Sequence, residues 1–130
     1  MHNETFLRRV VLADGLVSGA SGLVTMLGAG LLASILGLPQ ELLRYAGLSL
    51  LPWMALLVFI ATRKNLDVSA IWGVIVLNAL WIAGGSFLLL SSWLAPTALG
   101  YGFMLIQILV PALFTALEFV GVRKLTLTTA

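Results

Sequence analysis

Side chains able to bind a proton or a cation are rare in this chain, and they stand inside its most apolar stretches. Asp14, Asn78, Gln107 and Glu118 are the acids and amides that interrupt long runs of aliphatic, aromatic and small residues. In hydrocarbon such groups are costly unless they are paired or used, so they form the candidate path for a proton, a cation or a substrate. Asp14 and Glu118 each lie about five residues inward of a flanking arginine, roughly 7 Å along a helix axis, and so share one depth. Two acids at one level admit two readings. In one, Arg8, Arg9 or Arg123 reaches back along the helix to form an ion-pair network. In the other, the acids form a pair that holds a proton or a cation between them. Asn78 and Gln107 fall near mid-span by count, and a hydrogen bond between them is their simplest pairing.

The elements that must position these groups are set by composition. Hydrophobic residues make up 61% of the 130, charged residues 9%, and the mean hydropathy is +1.11. A soluble domain carries roughly 25% charged residues, so lipid must solvate most of this surface. Four apolar runs, at about 10–37, 40–62, 68–92 and 97–122, each exceed the roughly 20 residues that cross a hydrocarbon core. They show no polar alternation at period two, which argues for helices rather than a barrel. The expected fold is one all-α integral membrane domain over residues 1–130, a bundle of four transmembrane helices. Gly37-Leu38-Pro39 and Leu94-Ala95-Pro96 read as helix stops followed by proline at the next helix start. Arg63-Lys64-Asn65-Leu66-Asp67 reads as a short polar loop with Asp67 as N-cap. The first run is too long for the apolar core of a signal peptide and contains Asp14, so it is kept as a helix. With no cysteine and His2 as the only histidine, thiol chemistry, haem ligation and a histidine-based metal site have no residues to use, and no cofactor or metal is expected. No basic patch supports nucleic-acid binding.

Basic residues give the orientation. Arg8, Arg9, Arg63, Lys64, Arg123 and Lys124 fall at one end of a four-span bundle, and Arg44 alone at the other. The positive-inside rule then places both termini in the cytoplasm of a multi-pass cell (inner or plasma) membrane protein. Tyr45, Trp53, Trp93 and Tyr101 belong toward the outer interface, and Trp72 near the inner one. The halves also resemble each other. Leu50–Lys64 aligns with Leu109–Lys124 through an intramembrane proline, an apolar half-helix and a closing Arg-Lys, and Asp14 corresponds to Asn78. Two parallel helical-hairpin repeats, related by an axis along the membrane normal, are the reading preferred over chance likeness of hairpins.

Helix faces complete the reading. Asp14, Ser18, Ser21 and Thr25 share one face of the first helix. Gly15, Ser18, Gly19 and Gly22 supply small-xxx-small spacing, the mark of a close helix crossing. On the fourth helix Gly100, Gln107, Pro111, Phe114, Glu118 and Gly121 form one stripe that must face protein. Pro52 and Pro111 fall mid-span, where each removes one helical hydrogen bond and frees a carbonyl, near Leu48 and near Gln107; both are candidate hinges.

Four spans in a short chain with an acid at position 14 resemble the small multidrug resistance transporters, whose first-helix acid exchanges protons for cations. The resemblance implies a transporter that exchanges protons for cations. Asp14 stands where that family has Glu, and Ala13–Gly22 (ADGLVSGASG) departs from its motif, so no residue role is carried over. The functional expectation from the residues themselves is proton- or cation-coupled translocation of a small molecule by a homodimer. The alternative is a non-catalytic assembly subunit docking a larger membrane complex by its glycine face; nothing in the spans favours an enzyme.

Overall fold

The computed structural model describes residues 2–91 and 94–129, and every regular element in them is a helix. These are α1 (His2–Leu27), α2 (Ala29–Leu36), α3 (Gln40–Thr62), α4 (Val68–Leu90) and α5 (Ala98–Thr129). All but α2 are long and apolar enough to cross a membrane, over stretches of 24, 23, 23 and 28 residues.

The first apolar run is divided rather than continuous. α1 ends at Leu27 and α2 starts after Gly28, with helical hydrogen bonds carried across the joint from the Gly28 N–H to the Val24 carbonyl and from the Leu32 N–H to the Gly28 carbonyl. The short α2 packs against α3 and α5. It stops at Gly37, whose φ of 68° places it in the left-handed region that favours glycine. Thr97 then ties this turn to the start of α5. Its backbone N–H donates to the Leu36 carbonyl at 2.9 Å, its hydroxyl donates to the Ile35 carbonyl at 2.8 Å, and the same oxygen accepts from the Gly100 N–H at 3.1 Å. Asp67 caps α4 by accepting from the N–H groups of Ser69 and Ala70, at 3.0 and 3.3 Å.

α1 and α3 form the closest pair in the bundle. At their crossing Gly22 and Gly47 face each other: a Cβ built on Gly22 would sit 2.7 Å from the Gly47 carbonyl oxygen, and one on Gly47 2.7 Å from that of Gly22. Gly15 lies against Leu57, and Gly19 against Met54. Backbones this close gain dispersion contact that lipid could not supply. At the basic end Arg8 locks the pair. Its guanidinium donates to the carbonyls of Ala61 (2.6 Å), Arg63 and Lys64 (3.3 Å), and pairs with Glu4 at 2.9 Å. The Ala61 carbonyl in the last turn of α3, and the two that follow the helix at Arg63 and Lys64, thereby gain a donor.

Around the bundle α1 neighbours α3 and α5, and α4 neighbours α5, while α3 and α4 scarcely meet. α1 and α4 therefore occupy one diagonal, and α3 and α5 the other. The basic end is packed solid by Leu7, Val11, Leu57, Ile60, Ala61, Ile71, Val74, Ile75 and Val122. Toward the other end the α3–α4 seam opens.

The crossing makes a direct prediction. Gly47→Val puts branched carbon against backbone that cannot yield, and should destabilise the fold by about 1–3 kcal/mol. Gly73→Ala, where a Cβ meets nothing within 4 Å, should be neutral or slightly stabilising through helix propensity, by up to about 1 kcal/mol. Thermal unfolding of both variants in one detergent checks the contrast; equal effects would remove the crossing as the anchor.

Candidate proton site and adjoining cavities

α1, α4 and α5 each bring one polar side chain to a single point in the bundle. Asp14 is 2% exposed, Asn78 4% and Glu118 0%. The Asn78 amide nitrogen donates to Asp14 Oδ2 at 3.2 Å and to Glu118 Oε1 at 3.3 Å, one N–H for each acid. The shared amide brings the two carboxyl groups to neighbouring positions. Ser18, one turn along α1, donates its hydroxyl to Asp14 Oδ1 at 3.3 Å. Glu118 Oε2 is buried and has no hydrogen-bond partner among the described residues.

The basic residues do not complete this cluster. Arg8 is committed to Glu4 and the end of α3, and Arg123 lies over the Phe119 ring at 5.7 Å. The expected ion-pair network with the acids is therefore not what forms. The physical reason is competition: the open carbonyls at the end of α3 offer the Arg8 guanidinium several acceptors at the rim, without dragging its charge inward.

The expected Asn78–Gln107 hydrogen bond is also replaced. Gln107 is eleven residues from Glu118, about 16 Å along α5, and Asn78 sits at the level of the acids instead. Gln107 donates its side-chain amide to Ser21 Oγ at 3.1 Å. Its backbone carbonyl, which lacks a helical donor because Pro111 has no N–H, accepts from the Trp81 indole at 3.2 Å. Sequence reading passed over Trp81, yet it sits three residues after Asn78 and so on the same helix face. The carbonyl freed by Pro111 was the signal that a donor had to lie opposite. Both α3 and α5 run through their prolines without a break; Pro52 is exposed, and Pro111 faces inward.

Two cavities lie beside the cluster, along the α3–α4 seam. The first, of about 290 Å³, is lined by Ser18, Ser21, Ser49, Asn78 and Gln107 together with Trp53, Trp81 and aliphatic groups. Trp53, expected at an interface, thus faces this interior space; Trp93 falls outside the described residues. The second cavity, of about 510 Å³, lies toward the α2 end and is almost wholly apolar, with Leu43, Leu80, Gly84, Leu88, Phe103 and Ile108 in its wall. Leu50, Trp81 and Gln107 line both. Asn78 is the wall shared by the polar chamber and the acids: carboxyls on one side, open space on the other.

The Trp81–Pro111 relation can be tested as a cycle. Trp81→Phe should cost about 0.5–1.5 kcal/mol in stability. In a Pro111→Ala background the restored N–H takes the Gln107 carbonyl, and the same change should cost clearly less; additive effects would refute the link. No protein-family model, no curated protein and no solved structure matches this chain, so the site stands on its own geometry.

Proposed function

We propose that this chain is a multi-pass membrane protein of the cell (inner or plasma) membrane, with both termini cytoplasmic, that couples proton binding at Asp14–Asn78–Glu118 to translocation of a small molecule. The observation that carries this reading is the pair of buried carboxyl groups sharing one amide, with no basic partner and with Glu118 Oε2 unsatisfied. Two negative charges at that spacing in an apolar core would cost many kcal/mol. A single proton held between the carboxyls relieves the repulsion and gives the orphan oxygen a hydrogen-bonding role. Orientation is supported by the six basic residues gathered at the closed end.

The alternative, a docking subunit that uses its glycine face, is weakened by the packing. Gly15, Gly19 and Gly22 are taken up against α3 of the same chain and are not offered to a partner. The homodimer is not needed to build the site, since the cluster and both cavities lie within one chain. The hairpin duplication is supported by α1 and α4 lying on one diagonal, with the corresponding residues Asp14 and Asn78 hydrogen-bonded across it.

Infrared difference spectra of the reconstituted protein test the proton site. Wild type should show a carboxylic-acid carbonyl band that titrates with pH and disappears in the Asp14→Asn/Glu118→Gln double variant. In vesicles, a pH gradient should accelerate solute flux through wild type and not through Asp14→Asn. A wild type with no titrating band, or coupled flux indifferent to Asp14→Asn, would sink the proposal.

A further inference from the structure

We infer that the two cavities together bind an uncharged single-chain amphiphile, whose hydrogen-bond-accepting head takes the Asn78 amide from the acids and thereby drives proton uptake by the acid pair. This rests on the reading of that pair as a proton site and names what it serves.

The division of the space fits an amphiphile. The larger chamber offers hydrocarbon walls from α3, α4 and α5, suited to an alkyl or isoprenoid tail. The smaller one continues from it past Leu50, Trp81 and Gln107, and offers serine hydroxyls and carboxamides. Among the described residues no charged side chain lines either space. At the level of the acids α3 contributes only apolar side chains to the packed core, and α4 contributes the neutral Asn78. A charged head carried to mid-bilayer would lose its hydration without meeting a counter-ion in the chamber. A hydroxyl or carbonyl loses much less and finds donors there.

The coupling follows from counting donors. The Asn78 amide nitrogen has two hydrogens, and both are committed to the acids. Among the described residues Ser18 supplies the one further hydrogen bond, to Asp14, and Glu118 has no other side-chain donor. A ligand oxygen that accepts from Asn78 strips stabilisation from the one negative charge left on the singly protonated pair, and a second proton from solvent neutralises it. Binding of this neutral ligand therefore takes up a proton. A cationic ligand drawn to the acids would release one.

The test uses the full chain in phosphatidylcholine nanodiscs with Trp72→Phe and Trp93→Phe, which leaves Trp53 and Trp81 as reporters inside the cavity. Three undecyl probes brominated at the tail end, an alcohol, a carboxylate and a trimethylammonium, are compared as quenchers of these indoles. The alcohol should quench saturably and take up protons from a weakly buffered medium. Gly84 lines the tail chamber, and a Cβ there meets nothing within 4 Å; Gly84→Leu should weaken the alcohol by about tenfold or more through lost tail space. Shortening the tail to hexyl changes the ligand alone and should weaken binding by more than about tenfold. Tightest binding of the trimethylammonium probe with proton release would overturn the inference, as would an affinity unmoved by both Gly84→Leu and the shorter tail. Either result leaves the titrating carboxyl band untouched, so failure here is distinct from failure of the proton site itself.

Discussion

A carboxamide nitrogen carries two hydrogens, and in this protein each is directed at a different carboxyl group. Much of the bundle's geometry can be read as what it takes to bring those three side chains together. Asp14 and Asn78 sit on helices whose backbones stay apart, so side chains must span the diagonal to join them. The span is kept short by the α1–α3 crossing and by α5 lying against α1 at Leu7 and Gly121. Buried polar clusters favour one arrangement over others because a half-made network is worse than none. Here the network stops one bond short, at Glu118 Oε2. That unsatisfied oxygen gives the acids a reason to hold a proton.

The same crossing explains why there is space to bind anything. Four helices packed equally on all sides would fill their own core. In this bundle α3 is drawn toward α1 by Gly22 and Gly47, and α4 is held by α5, so the α3–α4 seam is left loose beyond the packed basic end. Trp81 holds the wall at its middle by spanning from α4 to the carbonyl that Pro111 frees on α5. A residue that weakens one helix thus fixes the position of another.

Much of this was legible in the residues. Lengths and apolarity gave four helices of spanning length, Gly37 and Asp67 marked a stop and a start, and the glycine spacing pointed to a close crossing. The shared depth of Asp14 and Glu118 followed from counting. Pairings were harder. Asn78 and Gln107 were matched by a count of depth, whereas register along two antiparallel helices decides who meets whom, and that register depends on loop lengths and tilts that periodicity does not contain. The fate of Arg8 was hidden for a related reason: backbone carbonyls at the end of α3 are not side chains and leave no letter in the sequence. The break at Gly28 was missed because the first apolar run was read as one continuous span, with Gly15, Gly19 and Gly22 as its packing glycines.

The short α2 has a consequence for where a solute would come from. It packs against α3 and α5 and is fastened by Thr97; Leu38, in the turn that follows it, lines the wider chamber, while the basic end is packed shut. The loosest route inward is then sideways, from the hydrocarbon. For a ligand taking that route the relevant concentration is its mole fraction in the lipid, not its molarity in water. Occupancy would follow partition coefficient and lipid-to-protein ratio, so the membrane acts as reservoir as well as solvent.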